Sequence, residues 1–147
     1  PRPGFAAGPC LFKDTMQISA YAKNNFFLGH SAMLVNEGLP NFIVDQAKRI
    51  HRLDQMTAGI LGMAFKAESD DPRESLSYKL RKVLESEAGR VLCSDEYIRS
   101  DSFVDAEGLV READIIFVGA PHRAYRELRI PAEKIVIDVW AHLERQE

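Results

Sequence analysis

Cysteine is scarce in this chain of 147 residues: Cys10 and Cys93 are the only two. Two thiols cannot build a disulfide framework, so a reducing, cytoplasmic setting is the expectation. No apolar run approaches the roughly 18–20 residues that span a bilayer, and no signal-peptide pattern opens the chain. No membrane association is therefore expected. Positive charge is not in excess either. The formal net charge is −3, without the clustered Lys and Arg of a nucleic-acid footprint, so no nucleic-acid partner is expected. His30, His51, His122 and His142 are widely scattered, without metal-ligand spacing, and no zinc or iron site is assigned. Internal repeats and low-complexity tracts are absent as well.

What is present fits an ordinary globular chain: 46% hydrophobic and 28% charged residues, enough for one domain, or one domain plus a helical segment. The start at Pro1 rather than Met predicts a piece cut from a longer polypeptide, though processing or trimming gives the same start. PRPGFAAGPC, rich in Gly, Pro and Ala, reads as a tight loop. From Phe27 to Ile50, Leu28, Ala32, Val35, Leu39, Phe42, Ile43, Ala47 and Ile50 recur every three or four positions, predicting one stripe of a long helix. Pro40 inside it predicts a kink or a break. The nearly heptad spacing makes residues 27–50 a candidate for packing against a second copy or a neighbouring domain.

Beyond Met56 the pattern changes. Thr57–Phe65, Val91–Ser94, Ile115–Gly119 and Ile135–Val139 read as strands. Glu74–Ala88 reads as a helix, with Asp70 or Asp71 as cap, Pro72 in the first turn and Gly89 as the stop. Strands alternating with helices predict an α/β chain: a helical N-terminal segment, residues 1–54, followed by a Rossmann-like parallel sheet, residues 55–147. Cys93 falls in a strand and reads as core. His122 follows a strand end and reads as a turn residue. Asp95 imitates the acid that binds an NAD ribose, but the turn it would serve holds only Gly59 and Gly62, not G-x-G-x-x-G.

Two segments carry chemistry. In Gly8-Pro9-Cys10-Leu11-Phe12-Lys13-Asp14, Pro9 suits the first helical position, which puts Cys10 in the first turn. Free backbone N–H groups and the positive end of the helix dipole favour a thiolate there. Lys13 and Asp14, three and four residues on, share that face. A carboxylate so placed could direct a water at a covalent intermediate. A small buried thiol beside a solvated ion pair fits the spacing about equally well. In the second segment, Lys66 ends the strand Leu61-Gly62-Met63-Ala64-Phe65-Lys66, and Arg73 opens the next helix. Strand ends are where open α/β sheets bind ligands. Both cations could meet an anion there, or Arg73 could simply be satisfied by Asp70 or Asp71.

GFAAGPCLFKD resembles the cysteine loop of the UDP-glucose/GDP-mannose dehydrogenase family, usually G-x-G-G-x-C-x-x-K-D. GMAFK followed by DPRES resembles that family's G-x-A-F-K and D-x-R-E-S. The two lie in family order, about 50 residues apart, and the ADIIFV and IVID strands extend the likeness over essentially the whole chain. Ala6 and Ala7 stand where glycines are common, one extra residue separates Gly4 from Cys10, and Val139 and Trp140 replace an arginine that many members carry after the last strand. A nucleotide-phosphate contact there is lost, moved, or replaced by stacking on Trp140.

The resemblance implies an NAD-dependent nucleotide-sugar 6-dehydrogenase that oxidises the C6 alcohol of a UDP-hexose, or a related sugar nucleotide, to the uronate. Cys10 is then the nucleophile, Asp14 activates water and Lys13 assists. Phe5, Gly8, Phe65 and Lys66 contact the sugar nucleotide, and Arg73 reaches toward NAD. NAD would be bound mainly by a domain absent from this chain, leaving the chain alone inactive. A homodimer through residues 27–50 is implied as well. Two alternatives remain open from the residues: a non-catalytic nucleotide-sugar-binding and dimerisation module, and an unrelated flavodoxin-like regulatory domain.

Overall fold

The computed structural model describes residues 4–23 and 25–143. Two helices come first, α1 (Leu11–Tyr21) and α2 (Phe27–Lys48). Strands and helices then alternate: β1 (Thr57–Leu61), α3 (Leu76–Glu87), β2 (Arg90–Ser94), α4 (Ala106–Glu112), β3 (Ile115–Val118) and β4 (Ile135–Ile137). All pairings are parallel and the sheet order is β2-β1-β3-β4. The expected α/β architecture is thus present.

Each strand sends alternate side chains to opposite faces, and both faces are covered. Ile60, Cys93, Ile115 and Phe117 point to one side, where they meet Leu76, Leu80 and Leu84 of α3 and Ile43, Val44 and Ala47 of α2. Leu61, Leu92 and Ile116 point to the other, against Leu109 and Val110 of α4, Ala113 just after it, and Tyr125. Full burial of a Leu or Ile contributes about 1.5–3 kcal/mol each. Cys93 is core, as expected, and burial pushes its thiol up to about 11.

Several boundaries differ from the sequence expectation. β1 ends at Leu61 rather than Phe65, because Gly62 turns the chain with φ +92°. The amides of Met63 and Ala64 then bond to the Asp95 carboxylate instead of a neighbouring strand. α3 begins at Leu76, capped by the Ser75 hydroxyl, so neither Asp70 nor Asp71 is its cap and Pro72 and Arg73 precede it. Gly89 follows the capping Ala88, and its amide reaches the carbonyls of Leu53 and Met56. The short helix α4, capped by Asp105, carries too brief an apolar pattern to be read from sequence.

α2 runs through Pro40 unbroken. Only the Asn36 carbonyl loses its helical donor, a cost that the packing of the buried Pro40 ring offsets. The buried stripe is Met33, Pro40, Ile43, Val44 and Ala47. Only part of the expected stripe coincides with it: Leu28 is 81% exposed, and Val35, Phe42 and Ile50 are exposed as well. Apolar residues occupy two faces of α2, and only one of them faces the sheet unit. Among the described residues, no helix is long and apolar enough to cross a membrane.

Gly62 is the point at which strand gives way to loop. A β-carbon there would come within 2.5 Å of the Ala120 carbonyl oxygen and 2.6 Å of its nitrogen, both backbone atoms. Gly62→Ala is therefore expected to destabilise the chain by at least about 2 kcal/mol in urea denaturation. An unchanged midpoint would show that the β1–β3 loop ends yield freely.

Candidate functional site

The carboxyl ends of the parallel strands face the segment that precedes α1, and a cleft of about 680 Å³ lies between them. Phe5, Ala6, Ala7 and Leu11 form one wall. Phe65, Lys66 and Ala67 from the β1–α3 loop, with Pro121, Arg126, Trp140, Ala141 and His142, form the other. Among the described residues, two cations and three aromatic rings line the cleft, and no carboxylate does. Such a surface favours an anion joined to flat or apolar groups.

Two glycines let the N-terminal segment lie against the sheet unit. Gly4 and Gly8 both have positive φ, +125° and +121°. A β-carbon on Gly4 would collide with the Trp140 ring, and one on Gly8 would lie 3.1 Å from the Phe65 ring. Phe5, between them, is buried edge-on to Trp140, ring centres 6.1 Å apart. Trp140 in turn donates from Nε1 to the Gly119 carbonyl. Its ring thus props the cysteine segment and lines the cleft.

Asn36 also holds this segment. Its side-chain amide donates to the Ala6 carbonyl at 2.6 Å, and its oxygen accepts from the Ala6 amide at 2.9 Å, reproducing a strand-like pair from a helix. Sequence reading missed it, although a signal was present. Asn36 falls three residues after Met33 and four before Pro40, on the stripe that α2 buries, where an unpaired amide would be costly.

Cys10 is exposed at the start of α1, beside the cleft residue Leu11. It is the residue before the helix rather than within its first turn; Pro9 precedes it in the turn, and the Cys10 carbonyl accepts from the Asp14 amide at 2.8 Å. Lys13 and Asp14 lie one turn on, paired at 3.3 Å and both largely exposed. Lys66 extends over the Phe65 ring, Nζ 5.3 Å from its centre. Arg73 lies outside the helix it was expected to open and makes a forked pair with Asp71, the closest contact 2.7 Å. That pairing holds the Asp71 carboxyl at about 2 and raises the Arg73 guanidinium, with the nearby Cys10 adding a smaller contribution. Phe5, Phe65 and Lys66 thus line one cleft, and Gly8 lies against the Phe65 ring. Cys10 and Arg73 adjoin it, and Lys13 and Asp14 stand one turn away.

Behind the cleft is a buried polar core. Both Asp95 oxygens are engaged: Oδ2 accepts from Met63 and Ala64 at 2.6 and 3.0 Å and from the His122 ring at 3.3 Å, while Oδ1 accepts from Tyr97 and Ile98. The carboxylate is therefore not free for a nucleotide ribose. With no G-x-G-x-x-G turn beside it, this sheet does not fit a dinucleotide. His122 is a turn residue, as expected, but its ring is fully buried. Among the described residues no group of His, Cys, Asp and Glu could hold a metal ion.

A parallel sheet covered on both faces, with a cleft carrying Lys66 and Arg126 at its strand ends, is the architecture of a nucleotide-binding α/β unit. Comparison with known proteins makes that class specific. Residues 59–145 match the model of the UDP-glucose/GDP-mannose dehydrogenase family, UDP binding domain. A UDP-N-acetyl-D-mannosamine dehydrogenase of Methanocaldococcus jannaschii is 32% identical over 128 residues, covering 86% of this chain and 30% of that protein. An NDP-N-acetyl-D-galactosaminuronic acid dehydrogenase of Ralstonia solanacearum is 28% identical over 94% of this chain and 35% of its own length. The solved UDP-D-ManNAc dehydrogenase of Pyrococcus horikoshii superposes with a TM-score of 0.84 at 25% identity, covering 99% of this chain and 37% of that one.

The chain belongs to the UDP-glucose/GDP-mannose dehydrogenase family and spans about a third of the length of the relatives it matches. This sets aside the unrelated flavodoxin-like alternative.

Burial opposes ionisation of Asp95, but hydrogen bonds from His122 and from the Ile98, Met63 and Tyr97 amides outweigh it and hold the carboxyl at about 2, below its ordinary 3.8. A lowered folded-state pKa contributes stability that is full above the unfolded value and lost as pH falls through the folded one. That shift corresponds to on the order of 2 kcal/mol. Asp95→Asn should lower stability at pH 7 by about that amount and flatten the loss between about pH 4 and 2, followed by urea titrations at each pH. Parallel curves for the two proteins would contradict it.

Proposed function

We propose that this chain is the sugar-nucleotide-binding and cysteine-bearing part of an NAD-dependent nucleotide-sugar 6-dehydrogenase, working in the cytoplasm on a UDP-hexose or related sugar nucleotide. The observation that carries the reading is an exposed thiol adjoining a cationic cleft, the two joined through the cysteine segment and the β1 strand end. Residues 1–54 supply the cysteine loop and the helical unit, and residues 55–147 the nucleotide-binding sheet.

Lys66 and the rings of Phe5 and Phe65 hold the sugar nucleotide, with Gly8 leaving room for it. NAD, held by a domain outside these residues, supplies the oxidising power, and Arg73 faces that side. This chain's own chemistry is covalent. The Cys10 thiolate adds to the C6 carbonyl of the aldehyde, and the proton taken up by the new oxyanion gives a thiohemiacetal. Once that carbon is oxidised by two electrons it is a thioester. Asp14 takes a proton from a water that attacks the thioester carbon, and the C–S bond breaks to release the uronate and the Cys10 thiolate. Lys13, paired with Asp14, keeps that carboxylate oriented.

The exposed apolar face of α2, with Leu28, Val35 and Phe42, and the exposed Ile18 and Tyr21 of α1 support a homodimer through these helices.

Calorimetric titration with UDP-sugars should show saturable binding to this chain, weakened about tenfold or more by Lys66→Ala through loss of a charge-assisted contact. No NADH should form from this chain with NAD and a UDP-sugar. Absence of binding, or NADH production, would each refute the assignment. In the complete enzyme, Cys10→Ser should lower turnover by at least about 10³; near-normal rates would mean that another group is the nucleophile.

A further inference from the structure

We infer that His122 is a positioning residue for the sugar-nucleotide site: its buried ring latches the loop that carries Phe65 and Lys66 to the Pro121–His142 part of the same cleft wall. The inference rests on the function proposed above. Nothing in the covalent chemistry uses this histidine, yet its ring is fully buried and both its nitrogens are engaged.

The hydrogen bonds define one neutral tautomer. Nδ1 accepts from the Glu68 amide at 2.9 Å, so it carries no proton. Nε2 faces the ionised Asp95 oxygen at 3.3 Å and therefore donates. The ring is wedged edge-to-face between Tyr97, 5.0 Å away, and Tyr125, 5.3 Å away, which fix its plane.

Glu68 lies two residues beyond Lys66 and has φ +55°, a left-handed backbone costly for a residue with a β-carbon. The conformation aims its N–H at His122. The Glu68 carboxylate adds two contacts, accepting from the Arg123 amide at 2.8 Å and from the Tyr97 hydroxyl at 2.9 Å. Earlier in the same loop, Ala64 is held by Asp95, the partner of the other His122 nitrogen. The Phe65–Lys66 pair is thus pinned on both flanks by one Asp95–His122 unit.

The rest of that wall is tied to the same residue. Pro121, immediately before His122, lines the cleft, and so does His142, whose Nε2–H donates to the His122 carbonyl at 2.8 Å. One residue therefore sets the spacing between the Lys66 and the Pro121–His142 parts of that wall. Loss of the Glu68 bond frees the loop at a cost paid in ligand affinity as well as in folding.

The test pairs His122→Phe, which keeps an aromatic ring between Tyr97 and Tyr125 but has no nitrogen, with His122→Asn, whose oxygen can accept from Glu68 N–H. UDP-sugar affinity by calorimetry should fall about tenfold in the Phe variant, as expected for one lost buried hydrogen bond, and recover most of the way in the Asn variant although its ring is gone. Amide exchange at Glu68 should speed up about tenfold in the Phe variant alone. Wild-type affinity and exchange in the Phe variant, or equal losses in both variants, would overturn the inference. Nitrogen chemical shifts of His122 in the unaltered chain provide an arm that needs no variant to fold: protonated Nε2 with bare Nδ1 supports the latch, and any other tautomer refutes it. If the unaltered chain binds no UDP-sugar, the functional reading fails, while exchange and tautomer still decide whether the latch exists.

Discussion

The Asp95 carboxylate, buried at the carboxyl end of β2, is the contact on which the site depends. Five donors converge on its two oxygens, four of them backbone amides from two different loops. A buried carboxylate without such partners would take up a proton or unfold its surroundings. Here the ion is retained because the loops supply their N–H groups, and the loops are ordered because the ion collects them. The exchange is mutual. It ends β1 at Leu61, turns residues 62–64 away from the sheet, and delivers Phe65 and Lys66 to the cleft.

A second constraint meets it from the N-terminal side. The segment from Gly4 to Gly8 has no strand or helix of its own, so its backbone groups need outside partners. Asn36 supplies two, and the rings of Trp140 and Phe65 supply surfaces that only glycine can approach so closely at positive φ. α2 contributes both Asn36 and the buried residues Ile43, Val44 and Ala47. The same helix therefore places the cysteine segment and packs into the sheet core, which couples the thiol's position to the folding of the nucleotide-binding unit.

Much of this was legible in the sequence. The strand–helix alternation gave the parallel sheet, and the two motifs around Cys10 and Lys66 marked the segments that form the cleft. Period-based reading fails where side-chain chemistry overrides it. The run Thr57–Phe65 is apolar throughout, but Gly62 and a distant carboxylate cut the strand short. The apolar residues of α2 lie on two faces, and periodicity alone does not say which one the sheet will cover. The contacts of Asn36 and His122 are between residues 30 and 54 positions apart in the chain. A polar residue on a buried stripe and a histidine after a strand end hinted at them, but tertiary partners decide their roles.

The distribution of charge argues for a division of labour within the site. Asp71 occupies Arg73, Asp14 pairs with Lys13, and Asp95 is consumed by the loops. Each of these three acids thus has a local partner, and among the described residues no acid lines the cleft. Lys66 and Arg126 face the cavity, with Asp71 acting on Lys66 only from outside the lining. Lys13 and Asp14 stand one turn beyond Cys10 and outside that lining, so α1 keeps this ion pair apart from the two cations of the cleft.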